Sequence, residues 1–342
     1  MRFVRPPHIR AIDAHVGGQP LRLIVDGAPR LVGSSLRDRQ AWLARHADAF
    51  RRAVVLEPRG HGDLTAAMLV EPSLPSAHTG LVFLDADGYP PMSGHGVIAA
   101  ATIAVEQELL FSRDDAGPEV ALTIETVAGL IQARARVEER AGARRVDSVA
   151  FTNVPAFVVS PSHPVKLGSR ELRVDIAYGG AFYAIVDTEA IGIPLESPRL
   201  PELRRLGRDI VRSLNGGTTI AHPLDPALTG IAGVIFTGAP HDPEAHLRNI
   251  TVTGSGSVDG SAGGTGTSAV MAVLDAMGLL PEGHPFVHEG LLGGLLRGTI
   301  VRSVPIGEQT GLVTSIEGTA WITGEHTLRL GDDDPFREGF QL

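Results

Sequence analysis

Ser93-Gly94-His95-Gly96-Val97-Ile98-Ala99 and Gly263-Gly264-Thr265-Gly266-Thr267-Ser268-Ala269 decide how this chain is read. Each is an x-Gly-x-Gly turn entering an Ala-rich, helix-periodic segment. Aligned, Gly94 falls on Gly264, Gly96 on Gly266 and Ala99 on Ala269, at an offset of 170 in 342 residues. A repeat at half the chain length predicts two similar domains. A helix N-terminus carries unpaired N–H groups and the positive end of the macrodipole. Glycines let an anion come close to it. Two such ends on opposite sides of a cleft would hold one carboxylate between them, with Ser93 and Gly263 on the two faces of the neighbouring carbon.

Outward from these turns, Gly and Pro break the chain into short apolar runs. Leu21–Val25, Ala53–Leu56, Ala66–Val70 and Leu81–Leu84 read as strands. Helical periodicity is clearest over Val97–Leu110, Arg199–Leu214 and Ser268–Leu280. The composition, 43% hydrophobic and 20% charged, is that of a globular protein. A net charge of -9 with no basic run argues against a nucleic-acid partner. No segment approaches the roughly 18–20 apolar residues of a membrane helix, and no apolar h-region follows Met1–Pro7. The expectation is a cytoplasmic protein with no membrane partner.

Several chemistries are disfavoured by residue type. Cysteine is absent, which removes disulfides, thiolate metal sites and thiol nucleophiles. Lys166, in the loop-like Pro-Val-Lys-Leu-Gly, is the single candidate for a Schiff base. The histidines are scattered with no His-x-x-x-His on a helix, so no metal site is expected, and His61 with Asp63 is a weak pair. His15 and His326 read as structural or supporting residues. Met92-Ser93-Gly94 is not a serine-hydrolase elbow, because Pro91 stands where that motif needs Gly.

Pro91-Met92-Ser93-Gly94-His95-Gly96 and Val258-Asp259-Gly260-Ser261-Ala262-Gly263-Gly264-Thr265-Gly266-Thr267 resemble two segments of the proline racemase family. In that family these are Met-Cys-Gly-His and Asp-Arg-Ser-Pro-Cys-Gly-Thr-Gly. Ile12–Gly18, Glu57–His61, Thr323–His326 and Asp333–Phe340 resemble further family blocks in the right order. The resemblance implies an α/β fold of two pseudo-symmetric, diaminopimelate epimerase-like domains. Each would be a curved β-structure around a central helix, with the active site in the interdomain cleft. We expect domains over 1–135 and 136–324, with 325–342 returning to the first. The resemblance also implies no metal, no organic cofactor, a small imino acid substrate and a homodimer.

The departures carry as much as the matches. Two Cys flank the α-carbon in the family's racemases and epimerases; here those positions are Ser93 and Gly263. Gly260 and Ala262 replace the family's Arg and Pro. Tyr178-Gly179-Gly180-Ala181-Phe182-Tyr183-Ala184 resembles the branch that dehydrates trans-3-hydroxy-L-proline, which commonly has Cys at the first position and Thr at the second. Candidate catalytic residues are Ser93, His95 and Asp259, the last two also as holders of the substrate ammonium. Candidate substrate-binding residues are Gly94, Gly96, Phe182, Gly263, Gly264 and Thr265. Three readings stay open. The first is a cofactor-independent lyase acting on trans-3-hydroxy-L-proline. The second is a 4-hydroxyproline epimerase or proline racemase using Ser93 and a water. The third is a silent binder of imino acids.

Overall fold

A computed structural model describes residues 8–110, 117–140, 142–217, 219–280 and 284–341. The chain divides into two compact units, Met1–Val149 with Thr319–Leu342, and Ala150–Gly318. The boundaries expected at 135/136 and 324/325 fall inside two strands, Gly129–Arg140 and Ala320–Arg329. The units part instead at 149/150, within the strand Ala143–Thr152, and at 318/319, between the strands Gln309–Gly318 and Ala320–Arg329.

The first unit runs β1 (His8–Val16), β2 (Gln19–Asp26), α1 (Leu36–His46), α2 (Asp48–Val55), β3 (Thr65–Val70), β4 (Thr79–Leu84), α3 (Gly94–Glu106), β5 (Glu119–Thr126), β6 (Gly129–Arg140) and β7 (Ala143–Thr152), within which the boundary falls. β1 is antiparallel to β2, β2 parallel to β3, β3 antiparallel to β4, β4 parallel to β5, and β5 antiparallel to β6.

The second unit runs β8 (Phe157–Leu167), β9 (Arg170–Tyr178), β10 (Phe182–Asp187), α4 (Thr188–Ile191), α5 (Leu200–Gly217), β11 (Ala221–His222), β12 (Asp225–Thr229), β13 (Ile231–Gly238), β14 (Leu247–Thr253), β15 (Val258–Asp259), α6 (Gly264–Ala276), β16 (Phe286–Gly290), β17 (Leu295–Ile306) and β18 (Gln309–Gly318). Its ladder repeats the first: β9 antiparallel to β10, β10 parallel to β13, β13 antiparallel to β14, β14 parallel to β16, and β16 antiparallel to β17. The last strand, β19 (Ala320–Arg329), returns to the first unit beside β1, as β8 lies beside β9 in the second. The helices recur at matching places. α3 follows β4 as α6 follows β14, and α1 with α2 stand where α4 and α5 stand.

Both central helices are apolar on all sides, which is the signature of a helix wrapped by its own sheet. α3 is buried from Gly94 to Val105 and packs on β1, β2, β3, β6 and β19. α6 is buried from Gly264 to Val273 and packs on β8, β9, β10, β17 and β18. The outer helices are amphipathic. α5 turns Leu203, Gly207, Ile210, Val211 and Leu214 onto β13 and β14.

The strands expected at Leu21–Val25, Ala66–Val70 and Leu81–Leu84 lie within β2, β3 and β4. Ala53–Leu56 is the exception: it ends α2. Phe50, Ala53 and Val54 are all buried at helical spacing, and four apolar residues in a row cannot reveal that period. α1 carried a clearer signal, a Ser35–Asp38 capping box. Lys166 lies on β8, exposed, rather than in a loop.

A second repeat links the units residue by residue. Pro72-Ser73-Leu74-Pro75-Ser76-Ala77-His78 joins β3 to β4, and Pro240-His241-Asp242-Pro243-Glu244-Ala245-His246 joins β13 to β14. In the first loop the Ser73 and Leu74 N–H groups donate to Glu125 Oε2. In the second the His241 and Asp242 N–H groups donate to Glu289 Oε2. His78 Nδ1 accepts from Thr123 N, and His246 Nδ1 from Val287 N. A buried carboxylate thus closes each loop through charge-assisted bonds. Glu289 also lies 3.6 Å from Arg248, both side chains under a tenth exposed. Removing Glu289 would leave a buried unpaired guanidinium. Glu289→Ala should therefore cost about 3 kcal/mol by the buried-pair scale, and more than Glu125→Ala. Urea unfolding of the two variants checks the order.

Candidate active site

In the first unit, Ser93 is the N-cap of α3 and its Oγ accepts from the Gly96 N–H at 3.2 Å. The cap aims this oxygen at the positive end of a 13-residue helix, which favours negative charge on it. His95 Nδ1 lies 3.4 Å from Ser93 Oγ. Both residues are buried, Ser93 at 8% and His95 at 6% exposure. Gly96 is required by contact: a Cβ there would come within 2.6 Å of Phe83 Cε1 and 2.9 Å of Ser93 Oγ. The first helical bond runs from Val97 N to Ser93 O, so the Gly94 and His95 N–H groups stand ahead of it. Ser93, Gly94, His95 and Gly96 therefore form one cluster.

In the second unit, Gly263 is the N-cap of α6 at φ 67°, and the first helical bond runs from Thr267 N to Gly263 O. The Gly264, Thr265 and Gly266 N–H groups stand ahead of it, as in α3. Asp259 Oδ1 accepts from the Ser261 N–H at 2.9 Å and the Ser261 hydroxyl at 2.6 Å. Ser261 Oγ in turn accepts from the Gly263 N–H at 3.1 Å. Asp259 thus braces the turn it precedes. Thr265 Oγ1 is 2.8 Å from Tyr183 Oη. Asp259, Gly263, Gly264 and Thr265 form the second cluster.

Phe182 is placed differently. It is 2% exposed and its ring packs on Tyr178 at 4.8 Å. Successive strand residues face opposite sides, so it is Tyr183 that reaches Thr265. The glycine pair before it has a packing reason. A Cβ on Gly179 would clash with the Thr265 backbone carbonyl and come within 2.8 Å of Ala269 N. Only Gly lets β9 run this close to α6.

Three supporting residues were not singled out in the sequence, although Tyr183 lies in the quoted Tyr178–Ala184 stretch. Asn153 Nδ2 donates to Gly179 O and to Ser268 Oγ, tying the glycine pair to α6. Tyr183 holds Thr265. His288 on β16 is fully buried, with Nδ1 3.0 Å from Thr267 Oγ1 in the first turn of α6. Burial pushes its pKa down to about 3 from an ordinary 6.5. Its native form is neutral, so the stability it lends is complete above 6.5 and is lost as pH falls from there toward 3. Acid unfolding should be delayed in His288→Asn, which keeps a polar atom for Thr267 without the proton uptake. Circular dichroism against pH checks this.

Among the described residues, no three His, Asp or Glu gather as a metal site, and no helix is long and apolar enough to cross a membrane. His61 Nδ1 accepts from the Asp63 N–H, and His15 Nδ1 from the Gly18 N–H. His326 Nε2 lies 3.1 Å from Asp13.

Residues 11–341 match the proline racemase family. The chain is 36% identical to a trans-3-hydroxy-L-proline dehydratase of Bacillus cereus, over 97% of each chain. It is 34% identical to a proline racemase of Clostridioides difficile over the full length of both. A crystal structure of a hydroxyproline epimerase from Agrobacterium vitis with bound trans-4-hydroxy-L-proline superposes with a TM-score of 0.89. That match has 30% identity and covers 100% of this chain and 97% of the other.

Proposed function

This chain belongs to the proline racemase family, and on that premise we propose that it is a lyase dehydrating trans-3-hydroxy-L-proline to 1-pyrroline-2-carboxylate. One observation carries the reading. Of the two equivalent helix caps, Ser93 has a side chain able to move a proton and Gly263 has none. Inversion needs a proton carrier on each face of the α-carbon. Dehydration of the trans isomer needs one. In that isomer the hydroxyl is trans to the carboxylate, so it shares a ring face with the α-hydrogen.

The proposed chemistry balances on Ser93 and His95, the latter lending its proton to the leaving hydroxide. Ser93 Oγ gives its proton to His95 and takes the α-hydrogen, with the Gly96 N–H and the helix dipole favouring the charged oxygen. The C3–O bond breaks and hydroxide leaves as water with a proton returned from the same side. The enamine then tautomerises to the cyclic imine. The N–H groups opening α3 serve the substrate carboxylate, and Asp259 is kept as the family's holder of the ring nitrogen. The family's independence of cofactors, cytoplasmic setting and homodimeric state are carried over as part of this reading.

A second reading has its own observation. A Cβ at Gly263 would meet nothing closer than Asp259 Oδ2 at 3.4 Å, which leaves room for a water to complete an epimerase. Incubation with trans-3-hydroxy-L-proline, trans-4-hydroxy-L-proline and L-proline in deuterated water separates the readings. Imine from the first substrate alone supports the lyase. Deuterium incorporation with inversion on the others would replace it by an epimerase or racemase, and binding without exchange by a silent binder.

A further inference from the structure

The space beside Gly263 has walls of a particular chemistry. Thr251 lies on β14 directly opposite Ile235 of β13 and Asp259 of β15. Residues directly opposite one another on adjacent strands share a face of the sheet, so these three side chains point the same way. The Thr251 rotamer is set by its methyl: a Cβ at Gly233 would stand 3.2 Å from Thr251 Cγ2. The methyl therefore packs against the Gly233 backbone, and the hydroxyl turns toward the opening of α6. Thr251 Oγ1 is 3.9 Å from a Cβ built at Gly263 and 3.8 Å from one built at Gly266. Thr251 is 7% exposed.

Around position 263 the only heavy atoms within 4 Å of such a Cβ, beyond chain neighbours and among the described residues, are Asp259 Oδ2 and Thr251 Oγ1. One is a carboxylate oxygen that accepts; the other is a hydroxyl that can donate. A group that both donates and accepts, of the size of one oxygen, satisfies the two at once. A water is such a group, and so is a hydroxyl on a ligand that displaces it.

We propose that Thr251 and Asp259 form a polar subsite beside Gly263 that takes a hydroxyl of the imino acid ring on the face opposite the abstracted α-hydrogen. The proposal rests on the reading that positions 93 and 263 serve opposite faces of the substrate. A ring hydroxyl on the face away from the α-hydrogen is cis to the carboxylate. The class of ligands bound is thereby widened to cis-hydroxylated prolines, for which Thr251 is a specificity-determining residue.

The test is a ratio of affinities, measured by calorimetry in the Ser93→Ala protein so that turnover does not intervene. The ligands are cis-3-hydroxy-L-proline and L-proline. The expected preference for the hydroxylated ligand is about tenfold, roughly 1.4 kcal/mol, the scale of one hydrogen bond in a partly desolvated site. Adding Thr251→Val, which keeps the shape and removes the hydroxyl, should bring the ratio to about one. Adding Thr251→Ser should retain it, which a purely structural role for the residue would not require. A preference that survives Thr251→Val, or none in the Ser93→Ala protein, overturns the proposal. Imine formation is assayed separately on the unsubstituted enzyme. A Thr251-dependent preference without imine would sink the lyase reading and keep the subsite, and imine without the preference would do the reverse.

Discussion

Ser93→Ala should lower turnover by at least about a thousandfold while leaving imino-acid affinity within about tenfold, or roughly 1.4 kcal/mol. The hydroxyl removed is the group proposed to take the α-hydrogen, so the chemical step goes with it. The carboxylate would still meet the N–H groups that open α3. Ser93 Oγ also caps that helix, and losing a cap costs on the order of 1 kcal/mol of stability. Ser93→Asn separates the two roles: Asn caps well but does not carry protons, so it should restore the melting temperature and not the turnover. Steady-state rates, calorimetry and melting curves of both variants check this. Undiminished turnover in Ser93→Ala would move the base to His95 or Asp259.

The second large effect is a gain. Ser93→Cys combined with Gly263→Cys should introduce inversion at the α-carbon of 4-hydroxyproline and proline, at least a hundredfold above the starting protein. A carrier then stands on each face, and a thiol near pKa 8.5 is lowered further at a helix N-terminus. The site at 263 can receive the side chain, since its Cβ would meet only oxygens at ordinary contact distance. The cost is the backbone. Gly263 sits at φ 67° and ψ 119°, outside the left-handed helical well, where a side chain costs on the order of 1–3 kcal/mol. Some loss of thermal stability should accompany the new activity. Chiral chromatography of the products reads the inversion. A double variant that binds imino acid and inverts nothing would show that the likeness of the two helix starts stops short of function.

The two Gly-x-Gly turns made the central feature of the fold legible, because a glycine-rich start to a buried helix leaves a direct mark in sequence. The helices they open, α3 and α6, begin at Gly94 and Gly264, ahead of the periodicity read from Val97 and Ser268, because the glycines of each turn already belong to the first helical turn. The residues behind the site left no such mark. Asn153, Tyr183 and His288 act through hydrogen bonds to α6 or the glycine pair. Each lies far in sequence from its partner, so no spacing rule links them. Thr251 is hidden for another reason: on a strand of β-branched residues it reads as core, and only the rotamer shows where its hydroxyl points. The Pro-x-x-Pro-x-Ala-His repeat was in plain view at 72–78 and 240–246. It is the sequence signal that would have found Glu125 and Glu289, and it marks matching loops as surely as the glycines mark matching helices. The error at Ala53–Leu56 came from reading four apolar residues without the Phe50 that completes their helical face.

A proton NMR time course of the purified enzyme with trans-3-hydroxy-L-proline is the most direct measurement of whether a one-carrier site dehydrates. The expected result is one-for-one conversion of substrate to 1-pyrroline-2-carboxylate, with no α-inverted hydroxyproline at any time. Accumulation of the inverted isomer with no imine would contradict the account, because it would require a second proton carrier on the face where Gly263 provides none.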